Sequence, residues 1–260
     1  MFPFSFMRIK IPLVLFSLLL TGAVFGQKIV TDRPSQTSSS TTIPKGSFQI
    51  ESALQVRYAE VNSKSVRQFL APTNSFRLGL TKGVELRVFN QLENNKGLDT
   101  SLSIVGLSDL EVGVKIQLLR KENVNTKIAF ISQLVLPTGT GGVSHNSLGS
   151  TNRIAASYLL SENLGLASNV GYNYYGTGSG DAVYSLVLSS GLTEKLSIFV
   201  ETYGEVVGMD NNYSNFDAGI VYLAKDNVQF DFSFGSGLNY NINFMCLGFS
   251  WNIKEGSRAR

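Results

Sequence analysis

Three observations predict an all-β fold, a transmembrane antiparallel up-and-down β-barrel of about 12 strands. Apolar and polar residues alternate with period two in run after run, giving each run one apolar and one polar face. The connections between runs alternate between tight turns and longer polar loops, as they must when one end of a spanning barrel turns in the periplasm and the other faces outside. Finally, the chain contains no helix able to cover an open sheet. In lipid the backbone must satisfy its own hydrogen bonds, so a spanning sheet has to close on itself.

The stretch "VYSLVLSSGLTEKLSIFVETYGE" from Val183 to Glu205 carries the pattern. Tyr184, Leu186, Leu188, Leu196, Ile198 and Val200 share one face, and Glu201 and Glu205 the other. A soluble sandwich also alternates, so period alone does not decide. The alternation of short and long connections along the whole chain does. It turns the apolar face toward hydrocarbon and the charged face toward a polar lumen.

The elements follow in order. Arg8 and Lys10, the apolar run "IPLVLFSLLLTGAVF" and Gly26 have the charged, apolar, small-residue order of a secretory signal, so residues 1–26 are read as a signal peptide cleaved after Gly26. Residues 27–46 are polar with neither period and are read as a flexible segment. Its Asp32 and Arg33 are candidates for a plug pairing with lumen charges, with Lys45 a further charge available. Twenty residues reach roughly 70 Å when extended, ample for a hydrocarbon layer of about 30 Å.

The barrel occupies 47–253, followed by a tail over 254–260. Its first run, Ser47 to Tyr58, puts Phe48, Ile50, Leu54 and Val56 on one face and Gln49, Glu51, Gln55 and Arg57 on the other. Further runs fall at about 67–80, 84–92, 107–119, 126–137, 152–160, 164–175, 181–192, 196–206, 213–224, 228–237 and 242–253. The short connections include "TKG", "SEN", "TEK" and "KDN"; the longer ones include 59–66, 93–106 and 138–151. Tyr172, Tyr174, Tyr184, Tyr222, Phe249 and Trp251 lie on the outward parity near strand ends, where an aromatic girdle meets the lipid headgroups.

Composition excludes several classes. Hydrophobic residues make up 43% and charged residues 16%, and a mean hydropathy of +0.08 is too low for a bundle of membrane helices. A net charge of +3 includes Arg8 and Lys10 at one end and Lys254, Arg258 and Arg260 at the other, so the middle of the chain is close to neutral and leaves no nucleic-acid footprint. Cys246 is the single cysteine, so an intramolecular disulfide framework is excluded. One His and one Cys provide no metal cluster, and "PTGTGG" lacks the lysine of a phosphate loop, so no cofactor is expected.

The inward parity collects Glu51, Arg57, Arg77, Glu85, Arg87, Asp109, Glu111, Lys115, Lys127, Arg153, Glu201, Asp217 and Asp231 as lumen-lining candidates. Such charges line a pathway, or pair and close it. The enzyme-like constellation is "SHNSLGSTNR", where His145 would activate Ser147 and Asn152 would orient the imidazole, in the manner of an outer-membrane phospholipase. It sits in a long polar loop, and the reading of the chain remains non-enzymatic.

The segments "TDRPSQTSSSTTIPKGSFQIES" (Thr31 to Ser52), "GLSDLEVGVK" (Gly106 to Lys115), "LVLPTGT" (Leu134 to Thr140) and "FVETYG" (Phe199 to Gly204) resemble, in order, the outer-membrane transporter-like β-barrel family named for the meta-pathway of phenol degradation. The resemblance implies an outer-membrane barrel associated with uptake of small, often aromatic, molecules. The expected function is a passive, porin-like pathway or binding site for small hydrophobic or aromatic solutes in a Gram-negative outer membrane. The expected partners are the lipid bilayer, the barrel-assembly machinery and the solute; no oligomeric state is assigned. A structural or adhesive barrel without transport is the alternative.

Overall fold

The computed structural model describes residues 29–61, 64–98, 103–119 and 124–254, so the signal peptide and residues 255–260 of the tail lie outside the described residues. Thirteen β segments follow one another: β1 (Ser47–Val61), β2 (Lys64–Thr81), β3 (Val84–Gly97), β4 (Ser103–Leu107), β5 (Leu110–Leu119), β6 (Thr126–Leu136), β7 (Gly149–Leu159), β8 (Leu164–Tyr174), β9 (Asp181–Gly191), β10 (Leu196–Val207), β11 (Asn211–Lys225), β12 (Val228–Gly237) and β13 (Ile242–Lys254). Neighbours in the chain pair antiparallel, and β1 closes on β13 from Ser47 opposite Lys254 to Ala59 opposite Ile242. Both β4 and β5 pair with β3, with Glu93 opposite Gly106 and Phe89 opposite Glu111. They are two halves of one strand, split at Ser108 and Asp109, so the closed barrel has 12 strands.

The side chains invert the soluble arrangement. Leu54 and Leu247 face each other across the β1–β13 ladder and are 52% and 59% exposed, whereas Glu51 and Arg77 are 1% and 0% exposed. Leu186 and Val200 stand on the same outer surface, and Glu201 is buried inside. Both follow from the pleat, which sends successive residues to opposite faces of the wall. Tyr172, Tyr174, Tyr222, Phe249 and Trp251 are exposed on the outer surface, while Tyr184 is half-buried with its hydroxyl 2.7 Å from Ser214 Oγ.

The structure corrects two connections. Residues 59–66 and 93–106 read as long loops, but β1 and β2 continue to Val61 and Lys64, and β3 runs to Gly97 before β4 begins at Ser103. Beyond the lipid both faces of a hairpin are wet, so hydrophobic alternation fades although backbone pairing goes on. Strands of 15 and 18 residues overshoot the 9–11 or so that a membrane needs. Among the described connections the contrast of ends now rests on the loops at 137–148 and 175–180. In β2 the ladders to both neighbours shift register around Pro72, whose nitrogen has no hydrogen to donate.

Candidate lumen site and its plug

Residues 29–46 contain no strand or helix, and they make a circuit of the inside of the wall. Val30 O accepts from Arg77 Nη1 on β2 at 3.0 Å. Arg33 reaches β12 and β13, its Nη2 donating to Asp231 Oδ1 at 2.9 Å and to Cys246 Sγ at 3.2 Å. The backbone N–H groups of Gln36 and Thr37 donate to the Glu201 carboxylate on β10 at 2.7 and 2.8 Å, and the Thr37 hydroxyl bonds Glu201 and Ser185. Ser38 bonds the Asn169 amide of β8, Ser40 Oγ lies 2.6 Å from Ser157 Oγ of β7, and Ile43 N–H donates to Glu85 of β3 at 2.8 Å. Gly46 N–H then donates to Gly79 O at 2.8 Å, where β1 begins.

A segment without regular structure has to satisfy its backbone somewhere. Here inward carboxylates do it: Glu51 accepts from the N–H groups of Asp32 and Arg33, while Glu201 and Glu85 serve the next two stretches. Two glycines make room. A Cβ on Gly79 would sit 2.1 Å from Pro44 O, and one on Gly248 would sit 2.4 Å from the Arg33 guanidinium.

Charge explains the placement of the Asp32–Arg33 pair. One side of the wall brings together Arg77, Arg87 and Lys115 with only Glu51 and Glu85 to face them. Asp32 supplies the third carboxylate, 2.5 Å from Arg87 Nη1 and 2.8 Å from Lys115 Nζ. Across the lumen the wall carries the acidic residues Glu201, Asp217 and Asp231, and there Arg33 pairs with Asp231 at 2.9 Å. Adjacent residues of opposite sign thus lie along the transverse field of the wall. Burial raises the cost of ionising Asp32, but the guanidiniums of Arg77 and Arg87 and the ammonium of Lys115 outweigh it and hold the carboxyl well below its ordinary range.

Two cavities of about 310 and 280 Å³ adjoin residues 29–46 and share Gln36, Arg153 and Tyr175. The larger takes in Arg57, Tyr203, Glu205 and Tyr240, and the smaller Thr73, Phe89, Arg87 and Glu111. Their walls come from the strand ends that carry the long connections. Burial pushes the Tyr175 hydroxyl up to about 12, with Glu111 adding to the effect, so the phenol stays protonated as a donor at neutral pH.

Residues 31–241 match the model of the family described as "Putative MetA-pathway of phenol degradation". The chain belongs to that family. Among solved structures, an outer membrane channel from Pseudomonas putida F1 is 12% identical with a TM-score of 0.71, covering 85% of this chain and 100% of its own. The KdgM porin in complex with disordered oligogalacturonate is 11% identical with a TM-score of 0.53, covering 78% of this chain and 98% of its own. Both share the barrel fold. No curated protein matches the chain.

Within this family member, the charges picked out by parity fall into groups. Glu51, Arg77, Glu85, Arg87 and Lys115 join Asp32 in one network, and Asp231 joins Arg33. Glu201 and Asp217 are directly opposite each other on β10 and β11. Glu111 accepts from Gln133 Nε2 at 2.8 Å, Arg57 and Arg153 line the larger cavity, and Lys127 is exposed near the turn end of β6. Lys45 is exposed as well.

Asp109 has a different role. At the break between β4 and β5 it accepts from Gly139 N–H, Ser144 Oγ, His145 N–H and His145 Nδ1, tying down the 137–148 loop. The His145 ring stacks on Tyr175 with centroids 4.2 Å apart. Asn152 shares the outward parity of exposed Ile154 and accepts from Ser132 Oγ at 2.8 Å. The structure therefore does not assemble His145, Ser147 and Asn152 into a hydrolytic triad. Among the described residues no group of three His, Cys, Asp or Glu side chains is placed to hold a metal.

The charged inward set leaves out neutral inward groups: Gln49, which parity puts on the inner face, Asn169, Ser185, and the hydroxyls of Thr37 and Ser40 in a segment with no period, all buried against residues 29–46 or within them. The run "SQTSSSTT" carries the available signal: eight small or polar side chains without one glycine can bond densely to a wall.

Proposed function

We propose that this barrel is an outer-membrane protein offering small hydrophobic or aromatic molecules a passive pathway or binding site, with its N-terminal segment narrowing the route. The supporting observation is a closed barrel whose waist is filled by residues 29–46 while cavities of about 310 and 280 Å³, the size of small organic ligands, remain open beside them. Asp32 and Arg33 are the latch in this reading, and Glu51, Arg77, Glu85, Arg87, Lys115 and Asp231 the catch. The solute enters the cavities, and passage requires the segment to shift. No step calls for covalent chemistry.

The test is a signal-peptide fusion that resumes at Ser47. It should fold and insert, and show larger or more frequent single-channel openings than the full chain. Unchanged conductance in a normally folded barrel would remove the segment from the pathway. The dense ion pairing at the waist also favours a second reading, a closed structural barrel without transport. Liposome uptake of neutral single-ring solutes separates the two, since the structural barrel admits none.

A further inference from the structure

Among the inward cations, Arg33, Arg77, Arg87 and Lys115 each have a carboxylate within 4.0 Å, as plug and wall chemistry requires. Arg57 and Arg153 form no ion pair with any described residue, yet both line the cavity of about 310 Å³. The Nε of Arg57 is shielded from solvent and has no hydrogen-bond acceptor, an arrangement that costs free energy unless something else supplies one. β1 and β7 stand five strands apart one way round the 12-strand ring and seven the other, so these arginines enter the cavity from nearly opposite walls.

We propose that Arg57 and Arg153 form an anion-recognition site in the larger cavity, and that its ligand is a small organic monocarboxylate built on a single ring. A guanidinium offers a planar fork of donors matched to the two oxygens of a carboxylate. Glu205 lines the same cavity and Glu111 the adjoining one that Arg153 also lines, so a second negative charge on the ligand would meet these carboxylates and a monoanion is favoured over a phosphate dianion. Tyr175, Tyr203 and Tyr240 supply ring faces and hydroxyls for the body of the ligand, and the volume suits one ring. A neutral hydrocarbon would desolvate the arginines and return nothing to them. The inference rests on the cavity being where the proposed solute enters. It narrows that solute from any small aromatic to an acid, and sugar acids share the same chemistry.

The experiment uses the folded full-length chain in detergent micelles and titrates benzoate, benzamide, glucuronate and inorganic phosphate by calorimetry, for the wild type and for Arg57→Gln/Arg153→Gln. Benzoate should bind about tenfold or more tighter than benzamide, and the double variant should lose that advantage while keeping the wild-type β-barrel circular-dichroism spectrum, because neither arginine has a carboxylate within 4.0 Å among the described residues. Glucuronate at benzoate's affinity assigns the site to ring acids in general; weaker glucuronate assigns it to aromatic acids. Equal binding of benzoate and benzamide, an advantage that survives in the double variant, or phosphate binding as tight as benzoate each overturns the proposal. Liposome uptake separates it from the pathway reading. Benzoate binding without uptake ends the pathway and keeps the site, whereas equal uptake of benzoate and benzamide without selective binding ends the site and keeps the pathway.

Discussion

Asp32 ties Arg87 to Lys115: its Oδ2 lies 2.5 Å from Arg87 Nη1, and its Oδ1 accepts from Lys115 Nζ at 2.8 Å. One residue of an N-terminal segment without helix or strand thus completes the charge balance of a buried wall network. Asp32→Asn should leave that network with an excess cation and destabilise the closed state by on the order of 3 kcal/mol, since the remaining charges stay buried after one partner is lost. A lower melting temperature together with larger conductance is the expected pair of results. Wild-type values for both would mean that the contact holds nothing.

Wall parity is tested by neighbours on β5. Val112 sits between Val88 and Leu134 on the lipid side, while Glu111 lines the smaller cavity. Arginine at 112 should cost about 2–4 kcal/mol of folding free energy in bilayers, and arginine at 111 much less. Folding titrations into lipid vesicles measure both, and equal damage would contradict the assigned faces.

Orientation can be read by labelling intact cells, with Cys246 first replaced by Ala. Gly141 is exposed in the long 137–148 connection, with nothing within 4 Å of an added Cβ, and Glu194 is exposed in a short turn. Gly141→Cys should react with an impermeant thiol reagent and Glu194→Cys should not. The reverse pattern would invert the barrel.

The long loop should keep its anchor into acid. Burial raises the Asp109 carboxyl, but bonds from the Ser144 hydroxyl, the His145 and Gly139 N–H groups and the His145 ring outweigh it, leaving the group below its ordinary value of 3.8. A depressed folded value means that the stabilisation is complete above 3.8 and fades as pH falls through the lower, folded value. Hydrogen exchange at the Gly139 and His145 amides should therefore stay slow at pH 5, while Asp109→Ala should loosen them at pH 7 by about 1–3 kcal/mol. Fast exchange in the wild type at pH 5 would show that another group controls the loop.

How much of this was legible depends on the distance over which each feature is decided. The two faces of the wall are local: period two separates Leu54 and Leu247 from Glu51 and Glu201, because the pleat acts on successive residues, and the alternation of connections turns the apolar set outward. Closure follows from the same pattern, since strands in lipid can leave no edge unpaired. The continued pairing of 59–61 with 64–66 and of 93–96 with 103–106 was not legible, because pairing that goes on in water needs no apolar face.

The partners across the lumen are set by strand order and by the path of residues 29–46. Asp32 and Lys115 are 83 positions apart, and Thr37 and Glu201 are 164 apart. Parity assigns Arg57, Arg77 and Arg153 to the same inner face. The adjacent hairpins of β1, β2 and β3 already give Arg77 Glu51 and Glu85, but only the closed barrel with residues 29–46 inside it brings Asp32 to Arg87 and Lys115 and leaves Arg57 and Arg153 facing a cavity. The physical reason is that a side chain's facing depends on its own strand, whereas its charge partner depends on which other strands and segments the fold brings within a few ångströms.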